Sequence, residues 1–511
     1  MTVAKVVSLR QVDAEPPRAI EVSETMTMKL TRRELIAAAA LLVTAAPRRN
    51  AFAATLPREV DVAIVGAGAA GIAAARKVAA AGRSVLMLEA SARLGGRCVT
   101  DATTFGVPFD RGARWLYASA SNPLAGLARL ERVELAPAAR GQRIRVGRRN
   151  ARAGELEDFL ALMVRVNRAM SEAVRSRGDL AVAQALPQDL REWRGTVEFQ
   201  LGPLTNGGDL DRVSTADLLN FAPRDPSMFC REGLGTFIKR LAGKLPVALE
   251  TPVTNVRWNG RDVELETRAG ILSARAVIVT ASVNVLNAGT IKFTPDLPKR
   301  QADALSHLTL GSCDRITLDL PGNPLGLGRD EVFIEQSSGP RTGLLLANAG
   351  GSSLCQVDVG GSFGRELSAQ GEAAMVDFAQ TWLRDLFGGD IPKAVTRTSV
   401  TRWNAEPYVL GAMSVASPGG LPARKILAEP LGPLFFAGEA LHEQLGGTVG
   451  GAWISGERAA EAALRKVASG KAERPAPAKK PAKRSSRPAH HPAPAQPPAR
   501  GNGLRWPGFG R

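Results

Sequence analysis

The sequence predicts an α/β protein built on a parallel β-sheet, and three consecutive segments support this prediction. Residues 61–65, DVAIV, form a short, largely β-branched apolar run of the kind found in strands buried inside a parallel sheet. A glycine-rich turn, residues 66–71, leads into an Ala-rich helical pattern that ends before Gly82. Residues 84–88 predict the next strand. The three segments therefore predict a strand–helix–strand unit.

The turn of this unit has the spacing of a dinucleotide-binding site. Gly66 permits the tight turn, Gly68 lets the backbone approach a diphosphate, and Gly71 lets the helix pack closely on the strand. The helix N-terminus offers free N–H groups to the phosphates. Glu89 ends the second strand, 18 residues after Gly71, where an acid can accept hydrogen bonds from the ribose hydroxyls. The sequence therefore predicts that a dinucleotide binds at this edge of the sheet.

The residues after the second strand resemble the signature of a known family. Residues 89–97, EASARLGGR, resemble the LEAxxRxGGR signature of the flavin-containing amine oxidase family. The resemblance implies that Gly95, Gly96 and Arg97 lie along the diphosphate of FAD, and a guanidinium fork suits that group. The arginine that the family usually has two residues after the acid is Ser91 here.

A second signature of the same family occurs near the C-terminal end of the sequence. Residues 434–439, LFFAGE, are followed by residues 446–456, GGTVGGAWISG. The resemblance implies that Glu439 meets the ribityl or diphosphate part of FAD. It also implies that the helix after Thr448 points its N-terminus at the flavin, where reduced flavin gathers negative charge. The resemblance covers residues 58–467.

The resemblance implies a fold in which two domains alternate along the chain. The expected architecture is α/β, with a discontinuous Rossmann-like FAD-binding domain and an interleaved α+β substrate domain of mixed sheet plus helices. The expected segments are a signal peptide (1–53), FAD-binding parts (54–115, 231–285, 431–468), substrate-domain parts (116–230, 286–430) and a tail (469–511).

The family pattern also assigns cofactor-binding residues, and it implies non-covalent FAD because the cysteine that carries a covalent flavin in some members is absent. The assigned residues are Gly66, Gly68, Ala69, Ala70, Gly71, Glu89, Ala90, Arg93, Gly95, Gly96, Arg97, Gly112, Ala113, Arg114, Trp115, Val253, Gly438, Glu439, Thr448 and Val449. No metal site is expected, because the four cysteines and the histidines show no metal-ligand spacing.

The substrate pocket departs from the best-known members of the family. Trp115 and Trp403 match family positions that shape the pocket, whereas the two positions that usually flank the amine with aromatic rings carry Val415 and Thr448. The family lysine that holds a water beside the flavin is Arg315, which is neither a tunable amine nor a conservative replacement. Arg315 could hold a water or bind an anionic group.

The resemblance implies a flavin enzyme that oxidises a small-molecule amine to an imine, with O₂ re-oxidising the flavin to give H₂O₂. Water then converts the imine to an aldehyde or ketone. Two alternatives stay open: an L-amino acid oxidase or tryptophan 2-monooxygenase-like enzyme, and a periplasmic FAD dehydrogenase that uses an acceptor other than oxygen. The first would need Arg114 or Arg315 to bind the substrate carboxylate.

The net charge of +17 is concentrated at the chain ends. Residues 469–511 carry ten Lys/Arg and one Glu in a Pro/Ala-rich stretch, which predicts a disordered tail rather than a nucleic-acid-binding domain. Arg32 and Arg33 precede a short apolar run and an A-x-A site ending at Ala53, which predicts a twin-arginine signal read by the twin-arginine translocase. We therefore expect a periplasmic protein without a transmembrane segment, whose true start is Met26 or Met28.

Overall fold

Two large sheets, three small sheets and the packed helices make up the structure, which is a computed structural model describing residues 56–117, 122–138, 142–221, 228–258 and 262–469. These residues belong to one unit that begins at Thr55. The predicted signal peptide and residues 470–511 of the predicted tail lie outside the described residues. No helix within the described residues is long and apolar enough to cross a membrane.

The strands are mostly short and occur along the whole described chain. They are β1 (Glu59–Val65), β2 (Val85–Leu88), β3 (Thr100–Asp101), β4 (Phe109–Asp110), β5 (Trp115–Leu116), β6 (Leu135–Pro137), β7 (Arg143–Val146), β8 (Arg149–Asn150), β9 (Met228–Cys230), β10 (Val247–Ala248), β11 (Val253–Arg257), β12 (Val263–Thr267), β13 (Gly270–Val279), β14 (Lys292–Thr294), β15 (Leu308–Leu310), β16 (Cys313–Asp319), β17 (Glu331–Glu335), β18 (Leu344–Ala347), β19 (Leu354–Gly360), β20 (Arg397–Val400), β21 (Ser414–Ala416) and β22 (Leu434–Phe436).

The helices range from single turns to a helix of 25 residues. They are α1 (Ala69–Ala80), α2 (Pro123–Leu130), α3 (Ala153–Arg177), α4 (Val182–Ala185), α5 (Arg194–Leu201), α6 (Thr215–Asn220), α7 (Leu234–Ala242), α8 (Val283–Asn287), α9 (Lys299–Ser306), α10 (Gly361–Gln370), α11 (Glu372–Phe387), α12 (Ile391–Ala394), α13 (Ala423–Ala428) and α14 (Val449–Ser469).

The first sheet has the order β10-β2-β1-β13-β12-β11-β14, and β22 also pairs with β13. Its centre is parallel: Val62 of β1 pairs with Val85 of β2 and with Ala276 of β13. Val62 and Ile64 are fully buried, as expected for a strand covered on both faces. The α/β fold predicted from the sequence is confirmed.

Helices α1 and α14 lie against each other and pack on one face of this sheet. A glycine makes their close approach possible, since a Cβ added to Gly456 of α14 would lie 2.1 Å from the carbonyl oxygen of Ala70 in α1. The first and last helices of the described chain are therefore neighbours. The two predicted halves of the cofactor site are brought to one place by this contact.

The second sheet has the order β20-β16-β19-β18-β17-β7-β8. Helices α10 and α11 cover its apolar face, where Ile316 and Val357 are buried. Its other face carries polar residues at the paired positions of β16 and β19, where Arg315 pairs with Asp358 and Thr317 pairs with Gln356. Helices α3 to α6 form a separate apolar cluster with Ile334 and Leu344 of this sheet.

The carboxyl ends of four strands meet at one edge of the first sheet. Gly66 follows β1, Glu89 follows β2, Thr280 follows β13 and Ala437 follows β22. Ligands of open α/β sheets bind at this edge. The strands of this sheet come from three separated stretches of the chain: β1 and β2, β10 to β14, and β22. The exact domain boundaries stay a prediction.

A buried ion pair joins the helical layer to the loop after β22. Arg424 is fully buried, and its Nε and Nη2 donate to the carboxylate of Asp217 at 2.7 and 2.8 Å. Its Nη1 donates to the carbonyl of Ala440 at 2.9 Å and to Oγ of Ser414 at 2.8 Å. Because the four bonds use the planar fork of an arginine, the side chain fixes α6, α13 and the loop after β22 together.

We predict that Arg424→Leu lowers the free energy of unfolding by about 3–5 kcal/mol, because the Asp217 carboxylate would stay buried without a counter-charge. Urea denaturation of the cofactor-loaded protein measures the loss. The control is Lys393→Ala, which removes an exposed ion pair with Asp390 and should cost about 0–1 kcal/mol. Equal losses in the two variants would contradict the role given to Arg424.

Candidate functional site

The turn between β1 and α1 is built by glycines that other side chains could not replace. Gly66 has a φ of +99°, and a Cβ there would lie 2.6 Å from Oγ1 of Thr280. That hydroxyl donates to the carbonyl of Val65 at 2.8 Å and holds the turn from the neighbouring strand. A Cβ on Gly71 would lie 2.1 Å from the carbonyl oxygen of Gly66. The close helix–strand packing predicted for Gly71 is therefore present in the structure.

The second glycine loop lies directly on the first. Gly95 donates its N–H to the carbonyl of Ala67 at 2.9 Å, and Gly68 forms an isolated bridge with Gly95. A Cβ on Gly96 would lie 3.3 Å from the Cα of Gly68. Gly68 is also the N-cap of α1 and has no side chain to cap it. The helix N-terminus therefore points free backbone donors into the space beside the two loops, which suits a diphosphate.

Glu89 is buried between these loops and the end of β2. Its Oε2 accepts the N–H of Ala67 at 2.7 Å. Its Oε1 accepts both the N–H and the hydroxyl of Ser91, at 2.9 and 2.7 Å. Ser91, which replaces a family arginine, therefore orients the acid that we expect to bind the ribose. Oε1 already accepts two hydrogen bonds, whereas Oε2 accepts one and keeps a lone pair that can accept a ribose hydroxyl.

The two family signatures are joined by an ion pair across 342 residues of sequence. Nη1 of Arg97 donates to Oε1 of Glu439 at 2.8 Å and to the carbonyl of Ala412 at 2.6 Å. Oε2 of Glu439 accepts the N–H of Gly447, just before α14, at 2.8 Å. Burial raises the pKa of Glu439, but the charge of Arg97, a hydrogen bond from Ser414 and the charge of Arg424 outweigh burial, so the pKa lies below its usual value.

The start of α14 completes this side of the site. Oγ1 of Thr448 accepts the N–H of Gly451 at 3.0 Å and donates to the carbonyl of Leu445 at 2.8 Å. Thr448 therefore caps the helix rather than presenting a free hydroxyl to a pocket. Gly438 has a φ of +149°, and no atom lies within 4 Å of the position that its Cβ would take. The backbone beside Gly438 is thus open to a ligand.

Arg315, the residue at the family lysine position, is held by protein groups on several sides. Its Nε donates to Oδ1 of Asp358 at 2.7 Å, and its Nη1 donates to the carbonyls of Asp110 and Gly112 at 2.6 and 2.8 Å. Burial lowers the pKa of Arg315, but the carboxylate of Asp358 outweighs it and the net change is upward. Arg315 is therefore charged and ties the second sheet to the segment before Trp115.

Arg114 binds the same acid from the other side. Its Nη2 donates to Oδ2 of Asp358, and its Nη1 donates to Gln356 at 2.7 Å. Burial and the charge of Arg315 lower the pKa of Arg114 to about 10, so it stays charged at neutral pH. We call Arg114, Asp358 and Arg315 the Arg–Asp–Arg cluster. Asp358 has a lowered pKa because the two arginines outweigh the effect of its burial, so the cluster carries one net positive charge.

The aromatic and aliphatic pocket candidates occupy three places. Trp403 is buried, and its ring lies over Gly112, where a Cβ would come within 3.1 Å of Cζ2. Trp115 is half-buried and meets Phe229 edge to face, with the ring centroids 6.2 Å apart. Val415 is buried in β21 beside the loop at Gly208. Trp115 therefore lies on the segment that contains Gly112, Trp403 packs against that segment, and Val415 packs with the helical apolar cluster.

The remaining predicted residues lie around the same edge of the sheet. Nη1 of Arg93 donates to the carbonyl of Gly96 at 2.5 Å, which shapes the second glycine loop. Val253 is buried at the start of β11, two residues after Thr251, whose N–H donates to the carbonyl of Glu89 at 2.8 Å. Ala69 and Ala70 begin α1, Val449 begins α14, and Ala90 and Ala113 lie next to Glu89 and Gly112. The individual cofactor contacts of all these residues stay predictions.

Several polar residues that organise the site were not predicted from the sequence. Asp110 caps the start of α7 by accepting the N–H groups of Leu234 and Gly235 at 3.0 and 3.3 Å. Gln356 and Asp358 alternate within the otherwise apolar strand LCQVDVG. Two polar residues spaced two apart in a buried strand indicate a shared face, and this signal could have pointed to the cluster. The residues that the structure describes contain no group of three acidic, cysteine or histidine side chains arranged to hold a metal.

Comparison with known proteins agrees with the geometry. Residues 214–464 match the family model described as flavin containing amine oxidoreductase, and residues 64–129 match a NAD(P)-binding Rossmann-like domain. The chain is 28% identical over 482 residues to lysine-specific histone demethylase 1B of Mus musculus, covering 87% of this chain and 57% of that protein. It is 29% identical over 452 residues to polyamine oxidase 5 of Oryza sativa subsp. japonica, covering 80% and 88% of the two chains.

The fold is also shared with solved structures. A wild-type putrescine oxidase bound to putrescine superposes with a TM-score of 0.68 at 19% identity, covering 80% of this chain and 99% of that chain. The chain spans a little over half the length of the histone demethylases that it matches. The structural likeness shows that the fold is common to these proteins.

We predict that Glu89→Ala weakens FAD binding by roughly 1.5–3 kcal/mol, because charge-assisted hydrogen bonds to the ribose are lost. FAD retained after gel filtration, released by acid and quantified, measures the change. Ser91→Ala is the matched control: it keeps the carboxylate that we expect to bind the ribose, removes only the hydroxyl that donates to Oε1, and should cost about 0.5–1.5 kcal/mol. Unchanged FAD retention in Glu89→Ala would show that another acid binds the ribose.

Proposed function

The chain belongs to the flavin-containing amine oxidoreductase family, and from this premise we propose that it is an FAD-dependent enzyme that oxidises an amine. The observation that carries the proposal is the ion pair between Arg97 and Glu439, which joins the two halves of the predicted cofactor site at one edge of the sheet. Proteins that resemble the chain include a polyamine oxidase and a putrescine oxidase, which supports an amine as the substrate class.

The residues present fit a bound, non-covalent FAD. Glycines 68 and 96 leave room for a diphosphate, the N-terminus of α1 would bind its charge, and Glu89 would hold the ribose. Arg97 keeps donors that Glu439 and Ala412 do not use, and its side chain is 26% exposed at the site. No cysteine occurs between Phe436 and Val449, where the family carries its covalent attachment. FAD, when bound, supplies a two-electron acceptor for the α C–H bond of the amine.

The protein's part in the reaction is to bind, orient and exclude water. Trp403 packs on Gly112 and Trp115 borders the segment beside it, so these rings would form an apolar wall against the reacting carbon. The amine loses one hydrogen with two electrons from carbon and one proton from nitrogen, which gives an imine. Water then hydrolyses the imine to a carbonyl compound and ammonia or an amine. We propose O₂ as the final acceptor, which takes up the two electrons and two protons as H₂O₂.

A second candidate is supported by the Arg–Asp–Arg cluster. The cluster has two guanidinium groups and one carboxylate, and Nε of Arg114 is buried without a hydrogen-bond partner among the described residues. A buried donor without a partner, beside two guanidinium groups, favours an acceptor such as a carboxylate nearby. The alternative substrate is therefore an amine that also carries a carboxylate, as in an amino acid oxidase.

The function is tested by anaerobic titration of the FAD-loaded protein with putrescine and with ornithine, its α-carboxylated analogue. We expect the flavin absorbance to bleach with one of them and to recover on admission of air, with one H₂O₂ formed per flavin. Bleaching without recovery in air, but with recovery on adding a quinone, would show a dehydrogenase that uses another acceptor. Absence of bleaching with these and with a wider panel of amines would refute amine oxidation.

The same titration separates the two substrate classes. If the Arg–Asp–Arg cluster binds a carboxylate, Arg114→Gln should weaken ornithine binding at least tenfold and leave putrescine binding unchanged, because a charged hydrogen bond contributes roughly 1.5–3 kcal/mol. Circular dichroism and FAD content show that the variant folds. A preference for putrescine that does not change in Arg114→Gln would assign the cluster a purely structural role.

We also propose that the protein is exported to the periplasm by the twin-arginine translocase. A signal of this type carries folded proteins, which suits a chain that must fold around its cofactor. Changing Arg32 and Arg33 to Lys together should leave an FAD-loaded precursor in the cytoplasm, and cell fractionation with immunoblotting detects it. The wild-type exported form should begin at Ala54. A double variant that still reaches the periplasm would refute the assignment.

A further inference from the structure

Two large apolar side chains lie in solvent on α3, the longest helix among the described residues. Leu160 is 63% exposed and Val164 is 68% exposed. The side of the helix that faces the protein already buries Phe159, Leu162 and Val166. Because Leu160 and Val164 are four residues apart, they lie next to each other on one face. Helix α3 therefore has a second apolar surface, which no described residue covers.

Charged residues of opposite sign border this surface at its two ends. Glu157 lies about one turn before Leu160, and Arg168 lies about one turn after Val164. At about 100° per residue, both point within roughly 60° of the line through the apolar pair. Both are exposed, and neither forms an ion pair within the described part of the chain. We call Glu157, Leu160, Val164 and Arg168 the α3 face.

The α3 face is complementary to itself in one orientation. If two copies of α3 pack antiparallel about a two-fold axis near residue 162, Leu160 of each lies opposite Val164 of the other. Glu157 then lies opposite position 167, next to Arg168 of the other copy, within reach of an ion pair. In a two-fold interface each contact occurs twice, once on each side of the axis. The parallel orientation would instead place Glu157 against Glu157 and Arg168 against Arg168, which is unfavourable.

From this complementarity we propose that a second copy of this chain binds the α3 face, with the two α3 helices antiparallel. The proposal does not depend on the proposed function. Charge complementarity selects this occupant over an acidic or a basic partner, because the face carries one charge of each sign at mirrored positions. A single helix pair covers less than the roughly 800 Å² per partner of a standard interface, so we expect a concentration-dependent dimer.

Sedimentation velocity of the full-length, FAD-loaded protein over a hundredfold range of concentration tests the proposal. The wild type should shift from monomer to dimer as its concentration rises. Val164→Glu should raise the dimer dissociation constant at least tenfold, because it places a carboxylate against the apolar Leu160 of the other copy on both sides of the two-fold axis. Leu130→Glu is the matched control: Leu130 is 79% exposed, lies on α2 away from the α3 face, and its change should leave the dissociation constant unaltered.

A charge swap identifies the orientation. Glu157→Arg and Arg168→Glu should each weaken the dimer severalfold, and the double variant should restore it, because every ion pair is rebuilt with its signs reversed. FAD content and thermal unfolding show that each variant is folded. A monomer at every concentration, a dimer that Val164→Glu leaves intact, or a double variant that stays as weak as the single ones would each overturn the proposal.

Discussion

The ion pair between Arg97 and Glu439 is the contact on which the rest of the site depends. Arg97 follows the second glycine loop, and Glu439 follows the last strand of the first sheet. Glu439 also accepts the N–H of Gly447, so one carboxylate binds the first cofactor signature and the segment that starts α14. Since a charged hydrogen bond in a buried site is strong, the distance between the two half-sites is set by protein groups.

Contacts around this ion pair position the helices and turns that line the cleft. Helices α1 and α14 approach closely at Gly456, and Thr280 holds the first glycine turn from β13. Each of these contacts joins segments far apart in the chain. In this arrangement the helix N-termini and the glycine backbone face one space. Their backbone N–H groups can donate to the oxygens of a diphosphate, so fewer positively charged side chains are needed there.

Buried charge lies at Arg315, the residue that the sequence resemblance assigns to the family lysine position. Arg315 and Arg114 share Asp358, and Arg315 also binds the carbonyls of Asp110 and Gly112. The cluster therefore fixes the strand that carries Trp115 relative to the second sheet. Such clusters are costly to bury and gain their stability only when each donor finds an acceptor. Among the described residues, Nε of Arg114 is the donor of the cluster without an acceptor, which is why we propose a substrate carboxylate as its partner.

The sequence by itself determined the α/β class, the order of the strands and helices around the first turn, and the positions of both glycine-rich signatures. These features depend on local rules: β-branched runs make strands, and positive φ values require glycine, as at Gly66. The dinucleotide-binding edge could also be predicted, because the carboxyl ends of parallel strands lie at the same edge.

Only the tertiary structure decided which charged residues meet. Arg315 was expected to face a water or a ligand, but its partner Asp358 is 43 residues away and lies on the neighbouring strand. Ser91 stands where the resemblance expects an arginine, and its hydroxyl donates to Glu89, while Oγ1 of Thr448 accepts the N–H of Gly451 and caps α14. The pairing Asp217–Arg424 spans 207 residues. Partners of this kind are chosen by strand register and helix packing, and no local pattern in the sequence records that choice.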